Sequence, residues 1–154
     1  MKKVTAREAV KAVKTGDTLV VGGSGAGHGI PDALLEALGN NFVSTGLPAN
    51  ITVFHPCGVG DNSERGLNHL AHEGLIKRDI GGFWGNAPKL CQLAFQNKLE
   101  AYNFPQGTLT HLVRAIAGGE PGLFTRTGLN TFVDPDVEGG KINEMERFKI
   151  QDGC

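Results

Sequence analysis

The chain reads as an α/β protein with a mainly parallel sheet flanked by helices in three layers. Short β-branched runs alternate with amphipathic runs along its length. The segments joining successive strands are long enough for parallel crossovers, which need about a dozen residues or more. Glycine-rich stretches fall where the strands should end. The 23 glycines in 154 residues exceed the usual share of roughly 7%, and they punctuate segments instead of forming a linker or repeat.

Thr5 and Glu8 have capping-box spacing, and Ala6, Ala9, Val10 and Val13 share one face, so a first helix extends to the neighbourhood of Thr15 and Gly16. Thr18 to Val21 is the first strand. Residues 22–29, GGSGAGHG, then form a backbone-exposing loop with five glycines among eight positions. Pro31 suits the first position of a second helix, with Leu34, Leu35 and Leu38 on one face and Gly39-Asn40 as its stop. Ile51 to Phe54 is the second strand, Cys57 to Asn62 its outgoing loop, and Arg65 to His72 a short helix closed by Gly74. Asp79 to Trp84 is a third strand broken by Gly81 and Gly82, and Ala87 to Asn97 a helix with Leu90, Leu93 and Ala94 inward. Ala101 to Phe104 is the fourth strand. The last helix, Thr108 to Ala117, carries Leu109, Leu112, Val113 and Ile116 at i, i+3, i+4 and i+7. Beyond Pro135 the chain turns polar, so residues 1–135 read as one domain and residues 136–154 as an irregular tail.

Bulk composition excludes several classes. Fifteen basic against sixteen acidic residues give a net charge of -1 with no basic cluster, which removes the electrostatic footprint of a nucleic-acid binder. Arg7, Glu8, Lys11 and Lys14 interrupt the apolar core that a signal peptide needs, and no membrane-length apolar run follows. Cys57, Cys91 and Cys154 are odd in number and widely spaced, which points to a reducing compartment and a cytoplasmic protein without membrane association. His69 and His72 stand three apart, but no third ligand has a matching spacing, so no metal site is expected.

Ligands on parallel sheets bind beyond the strand carboxyl ends, which singles out the loops 22–29, 57–62, 85–88 and 105–107. In the first, glycine lets a ligand approach the main chain, so Gly22, Gly23, Ser24 and Gly25 can aim peptide N–H groups at one oxygen. Neither nucleotide fingerprint fits: the dinucleotide register needs glycine where His28 stands, and no Lys-Ser/Thr pair follows Gly27. The competing reading is a tight strand-to-helix connection without a ligand. Gln106 sits in a strand-to-helix turn, where its amide either meets local backbone or faces a ligand. His28 reads as an exposed loop residue or a polar contact, Cys57 as a buried thiol, and Phe83 and Trp84 as core or interface.

Residues 55–122, which include AYNFPQG, and residues 127–144, TGLNTFVDPDVEGGKINE, occur in an order that resembles the N-terminal, α-type half of the class I CoA-transferases. The likeness is greatest to the single-chain acetate and propionate CoA-transferases. The resemblance implies exchange of CoA between a short-chain acyl-CoA and a carboxylic acid through a covalent glutamyl intermediate. It implies that Gly22, Gly23, Ser24 and Gly25 line the acyl site, that Gln106 presents its amide to a carbonyl oxygen, and that Asn103 is a second polar contact. It implies no catalytic residue here, because the nucleophilic glutamate lies in the β-type half; Glu73 and Glu100 are read as surface charges. Coenzyme A is then a substrate, no cofactor is needed, a β-type subunit is the partner, and the isolated chain is inactive and forms a homo-oligomer. The alternative is a truncated, non-catalytic remnant or a stand-alone binding and self-association module.

Overall fold

The computed structural model describes residues 3–24 and 28–144. The described residues form α1 (Ala6–Ala9), β1 (Thr18–Val20), α2 (Asp32–Thr45), β2 (Ile51–His55), β3 (Ile76–Gly81), α3 (Pro88–Phe95), β4 (Glu100–Asn103) and α4 (Gln106–Ala117). A 3-10 turn, Val10–Ala12, prolongs α1, and another, Leu67–Leu70, lies in the crossover from β2 to β3.

All four strands are parallel, in the order β1-β2-β3-β4. Crossovers between parallel strands share one hand as a rule, so sequential strand order puts their connections on one face. There α2 packs on α1 and on the Leu67–Leu70 turn, which in turn packs on α3. The row Leu19, Val53, Asp79 and Ala101 is aligned across the sheet, and its last three members are fully buried. The neighbouring row, Val20, Phe54, Ile80 and Tyr102, faces the other way. It is covered at Phe54 and open at Val20, which is 55% exposed. The central strand β2 is buried at every position, as a parallel strand covered on both faces must be.

The elements expected from the sequence recur with shifted bounds. The capping box at Thr5 and Glu8 forms in both directions, but its helix tightens after Ala9 into a 3-10 turn. Strand β3 begins at Ile76, ahead of Asp79, because Arg78 pairs across the sheet with Glu100 at 2.6 Å and so can occupy a strand position. The segment Arg65 to His72 forms only its central 3-10 turn. Gly39 does not stop α2, which runs to Thr45 and ends at Gly46 in the left-handed conformation, φ 72°. Gly39 serves packing instead: a Cβ there would lie 2.1 Å from the His69 carbonyl oxygen.

The described part of the C-terminal segment is built of turns, yet it is tied to the free edge of β4. Asn103 N–H donates to Gly140 O at 2.8 Å and Ile142 N–H to Ala101 O at 2.9 Å. The Asn143 side chain donates to the carbonyls of Ala94 and Leu99 at 3.0 and 2.6 Å. This covers one sheet edge that would otherwise present unpaired backbone. No helix among the described residues is long and apolar enough to cross a membrane.

Gly39→Ala tests the helix contact. Alanine favours a helix interior by about 1 kcal/mol over glycine, yet overpacking against the His69 carbonyl is expected to dominate and to destabilise by about 1–3 kcal/mol. Urea unfolding measures this, and an unchanged or raised midpoint would refute the contact.

Candidate functional site

The carboxyl ends of the four strands open onto one rim. Backbone bonds continue past the strand ends: Val21 N–H to Phe54 O at 2.9 Å, Gly82 N–H to His55 O at 3.0 Å, and Phe104 N–H to Gly81 O at 3.0 Å. The exits of β2 and β3 are in backbone contact, since a Cβ on Gly82 would lie 1.9 Å from Pro56 O. The same Cβ would lie 2.8 Å from Gln106 Cγ, so the Gln106 side chain rests over Gly82 beside Pro56. Gln106 is exposed and opens α4, whose N-cap, Pro105, supplies no side-chain bond. The first-turn N–H groups of such a helix lack intrahelical partners and favour an oxyanion.

The glycine loop lies at the other end of this rim. Gly22 is exposed; Gly23 is packed so that a Cβ would meet Ile30 Cγ2 at 3.0 Å and Val59 Cγ2 at 3.5 Å. Ser24 N–H donates to His28 O at 3.2 Å and is therefore spent within the loop. Gly25 lies outside the described residues. β1 and β4 are the two edge strands, three strand spacings or about 14 Å apart. The fold thus aligns Gly22 and Gly23 with Asn103 and Gln106 along one rim without bringing them into contact. Asn103, half-buried at the end of β4, commits its backbone N–H to Gly140.

The other singled-out residues separate by role. His69 Nε2 lies 3.2 Å from Asp32 Oδ1, whereas His72 stacks on Phe42 with centroids 6.2 Å apart. Among the described residues no three His, Cys, Asp or Glu side chains converge on a metal position. Glu73 pairs with Lys98 on the surface and Glu100 with Arg78 at the amino end of β4. Trp84 is buried in the core, and Phe83 is half-exposed over Gly58 and Gly85.

Sequence reasoning missed the buried pair beneath the rim. His55 ends β2 and is 1% exposed; Asp79 on β3 is 0% exposed. Nε2 lies 3.2 Å from both Asp79 oxygens, and Nδ1 lies 2.9 Å from Cys57 O. Gly81 makes room for the ring: a Cβ there would lie 2.4 Å from His55 Cε1. The available signal was a histidine closing the mostly apolar run Ile51–His55 and an aspartate two residues before Gly81 in the next strand. Burial alone drives the imidazole toward its neutral form, but the Asp79 charge, the bond to Asp79 and the Cys57 carbonyl together hold its pKa above 6.5. The Cys91 thiol is pushed up, first by burial and then by the Asp79 charge.

A raised folded-state pKa means that protonated His55 stabilises the fold. The contribution is complete below about pH 6.5, the unfolded value, and is lost as pH rises through the folded value. Cys91 adds a fall of the same sign only above its ordinary value of 9.0. Melting temperature is therefore expected to decline above about pH 6.5, and Asp79→Asn to flatten that decline; a profile that keeps its slope in the variant would refute the assignment.

Comparison with known proteins agrees with this fold. Residues 3–149 match the family described as coenzyme A transferase. The chain is 42% identical over 144 residues to an acetate CoA-transferase, YdiF, of Escherichia coli K12, covering 94% of the chain and 27% of that protein. It is 33% identical over 147 residues to one of the subunits of a probable succinyl-CoA:3-ketoacid coenzyme A transferase of Bacillus subtilis, covering 93% of the chain and 58% of that relative. The crystal structure of YdiF from E. coli O157:H7 in a thioester complex with CoA superposes with a TM-score of 0.90 at 42% identity, covering 94% of this chain and 30% of that one. This likeness supports the three-layer α/β arrangement. The chain thus spans about a quarter of YdiF and a little over half of the B. subtilis relative. With a family match across nearly its whole length and a parallel sheet that superposes on that of YdiF, the chain belongs to the coenzyme A transferase family.

Proposed function

We propose that the chain supplies part of the acyl-binding side of a CoA-transferase that moves CoA between a short-chain acyl-CoA and a carboxylic acid. The observation that carries this reading is the rim itself, where the Gln106 side chain rests with its Cγ over Gly82 at the uncapped start of α4. In the family chemistry a glutamate carboxylate attacks the thioester carbonyl and CoA leaves as the thiolate, giving an acyl-glutamyl anhydride. The thiolate then attacks the glutamyl carbonyl, the first acid departs, and a second acid takes CoA from the resulting glutamyl thioester. Each addition places negative charge on an oxygen, which fixed N–H donors stabilise. Gln106, backed by α4, is one such donor. Gly22, Gly23 and, outside the described residues, Gly25 provide backbone at the other end of the rim. Asn103 flanks Gln106. The nucleophile, and with it the β-type part, comes from further chain. Coenzyme A enters as substrate, and Cys57 and Cys91, unpaired among the described residues, fit a reducing, cytoplasmic setting.

Alone, the chain is expected to transfer no acetyl group between CoA and a carboxylate. Co-expressed with the unmatched remainder of the E. coli acetate CoA-transferase, it is expected to gain turnover. In that complex Gln106→Ala is expected to lower kcat at least about tenfold, roughly 1.4 kcal/mol of transition-state stabilisation, with the melting temperature nearly unchanged. Steady-state transfer assays decide both points. Turnover by the chain alone would overturn the first, and an unaffected Gln106→Ala complex would remove Gln106 from the site.

A second reading, self-association as a binding module, is favoured by the apolar groups left in solvent: Val20 on the open sheet face, Phe95 at the end of α3 (79% exposed), and Phe124 (98% exposed). The isolated chain is expected to sediment as a dimer or larger at micromolar concentration, and a clean monomer would exclude this reading.

A further inference from the structure

The buried pair under the rim has a protonation state that its neighbours dictate. A carbonyl oxygen only accepts, so the 2.9 Å contact to Cys57 O places a proton on Nδ1. With Asp79 ionised its carboxylate only accepts, so the 3.2 Å contact to Asp79 Oδ2 places a second proton on Nε2. Both ring nitrogens donate at once, which is the imidazolium form. Trp84, edge-on with its centroid 6.0 Å away, spends its indole N–H on Tyr102 O at 3.1 Å. Cys91 on α3, a titratable group that feels the Asp79 charge, donates its Sγ–H to Trp84 O at 3.3 Å.

The ring and the backbone of His55 act on the same turn. His55 O accepts from Gly82 N–H, and the ring holds Cys57 O. Pro56 is therefore fixed on both sides, and Pro56 O is the atom against Gly82, over which Gln106 lies. We infer that His55 is a doubly donating imidazolium that serves as a positioning residue: anchored by Asp79, it holds the Cys57 carbonyl and thereby the turn on which Gly82 and the Gln106 amide are seated. The effect on turnover rests on the function proposed above; the protonation state and the seating of Gln106 do not.

Long-range proton–nitrogen NMR of the nitrogen-15-labelled chain tests the first part. Both His55 ring nitrogens are expected to stay protonated from about pH 6 to about pH 7, and a ring with one bare nitrogen in that range would overturn it. Two substitutions test the positioning. Asparagine places an amide N–H where Nδ1 stands, so His55→Asn keeps the donor to Cys57 and deserts Asp79. Glutamine reaches the Nε2 position, so His55→Gln does the reverse.

In the isolated chain the Gln106 side-chain amide resonances are expected to shift in His55→Gln and to stay near their original positions in His55→Asn, whereas the melting temperature is expected to fall more in His55→Asn. In the complemented enzyme His55→Gln is expected to lose at least about tenfold in kcat at a KM within about twofold, and His55→Asn less than about threefold. Rate, resonance shift and stability falling together in the same order would show a merely structural role and overturn the inference. A complemented enzyme with no turnover at all would defeat the proposed function instead, while the NMR and melting measurements on the isolated chain would still decide this one.

Discussion

Backbone contact between the exits of β2 and β3 sets the geometry on which the rim depends. The Pro56 carbonyl sits where a side chain on residue 82 would begin, and the same residue carries the Gln106 side chain on its surface. Only the absence of a Cβ allows three strand exits, from β2, β3 and β4, to converge this tightly. The backbone bonds from Gly82 to His55 and from Phe104 to Gly81 then continue the sheet beyond its strands. The rim is a stiff extension of the sheet on that side, which is the condition for holding a donor in a fixed place before charge develops.

Charge is buried directly beneath that contact. Taking an imidazolium and a carboxylate out of water costs several kcal/mol per ion, and mutual attraction offsets it only with good geometry and further hydrogen bonds. His55 meets that condition through Cys57 O and Asp79. Asp79 Oδ1, at 3.2 Å from Nε2, lacks aligned hydrogen-bond geometry and has no other partner among the described residues. A pair of this kind is weak as a source of stability and strong as a constraint, because losing either partner strands the other in the core. Linking the last residue of β2 to a position two residues before the end of β3, it is a lock on register where register matters for the site.

The two candidate binding elements differ in how firmly they are held. Gln106 is supported by α4 and by the Pro56–Gly82 contact. The glycine loop hangs from an edge strand, with Gly23 against Ile30 and Val59 as its packing. β1 also carries the exposed Val20 on the open face of the sheet.

Much of the architecture was legible in the residues because it depends on local periodicity. The alternation of β-branched and amphipathic runs determined four strands in a mainly parallel α/β sheet, and the spacing of Thr5 and Glu8 determined the first cap. The blocks around AYNFPQG and TFVDP determined the family. Long-range approach was not legible. Gly39 looked like a helix stop because glycine disfavours helices, yet the His69 carbonyl, thirty positions away, is what requires it. Gly81 and Gly82 looked like strand breakers, yet they make room for the His55 ring and the Pro56 carbonyl. The polar C-terminal segment showed no period, because its hold on β4 comes from single backbone bonds and the Asn143 amide, which leave no repeating pattern. The sequence by itself determined which elements form and what family they build, since both follow from patterns along the chain. Only the tertiary structure decided that His55 and Asp79 meet and that the glycine loop and Gln106 stand at opposite edges of one rim, since those facts depend on strand order and register.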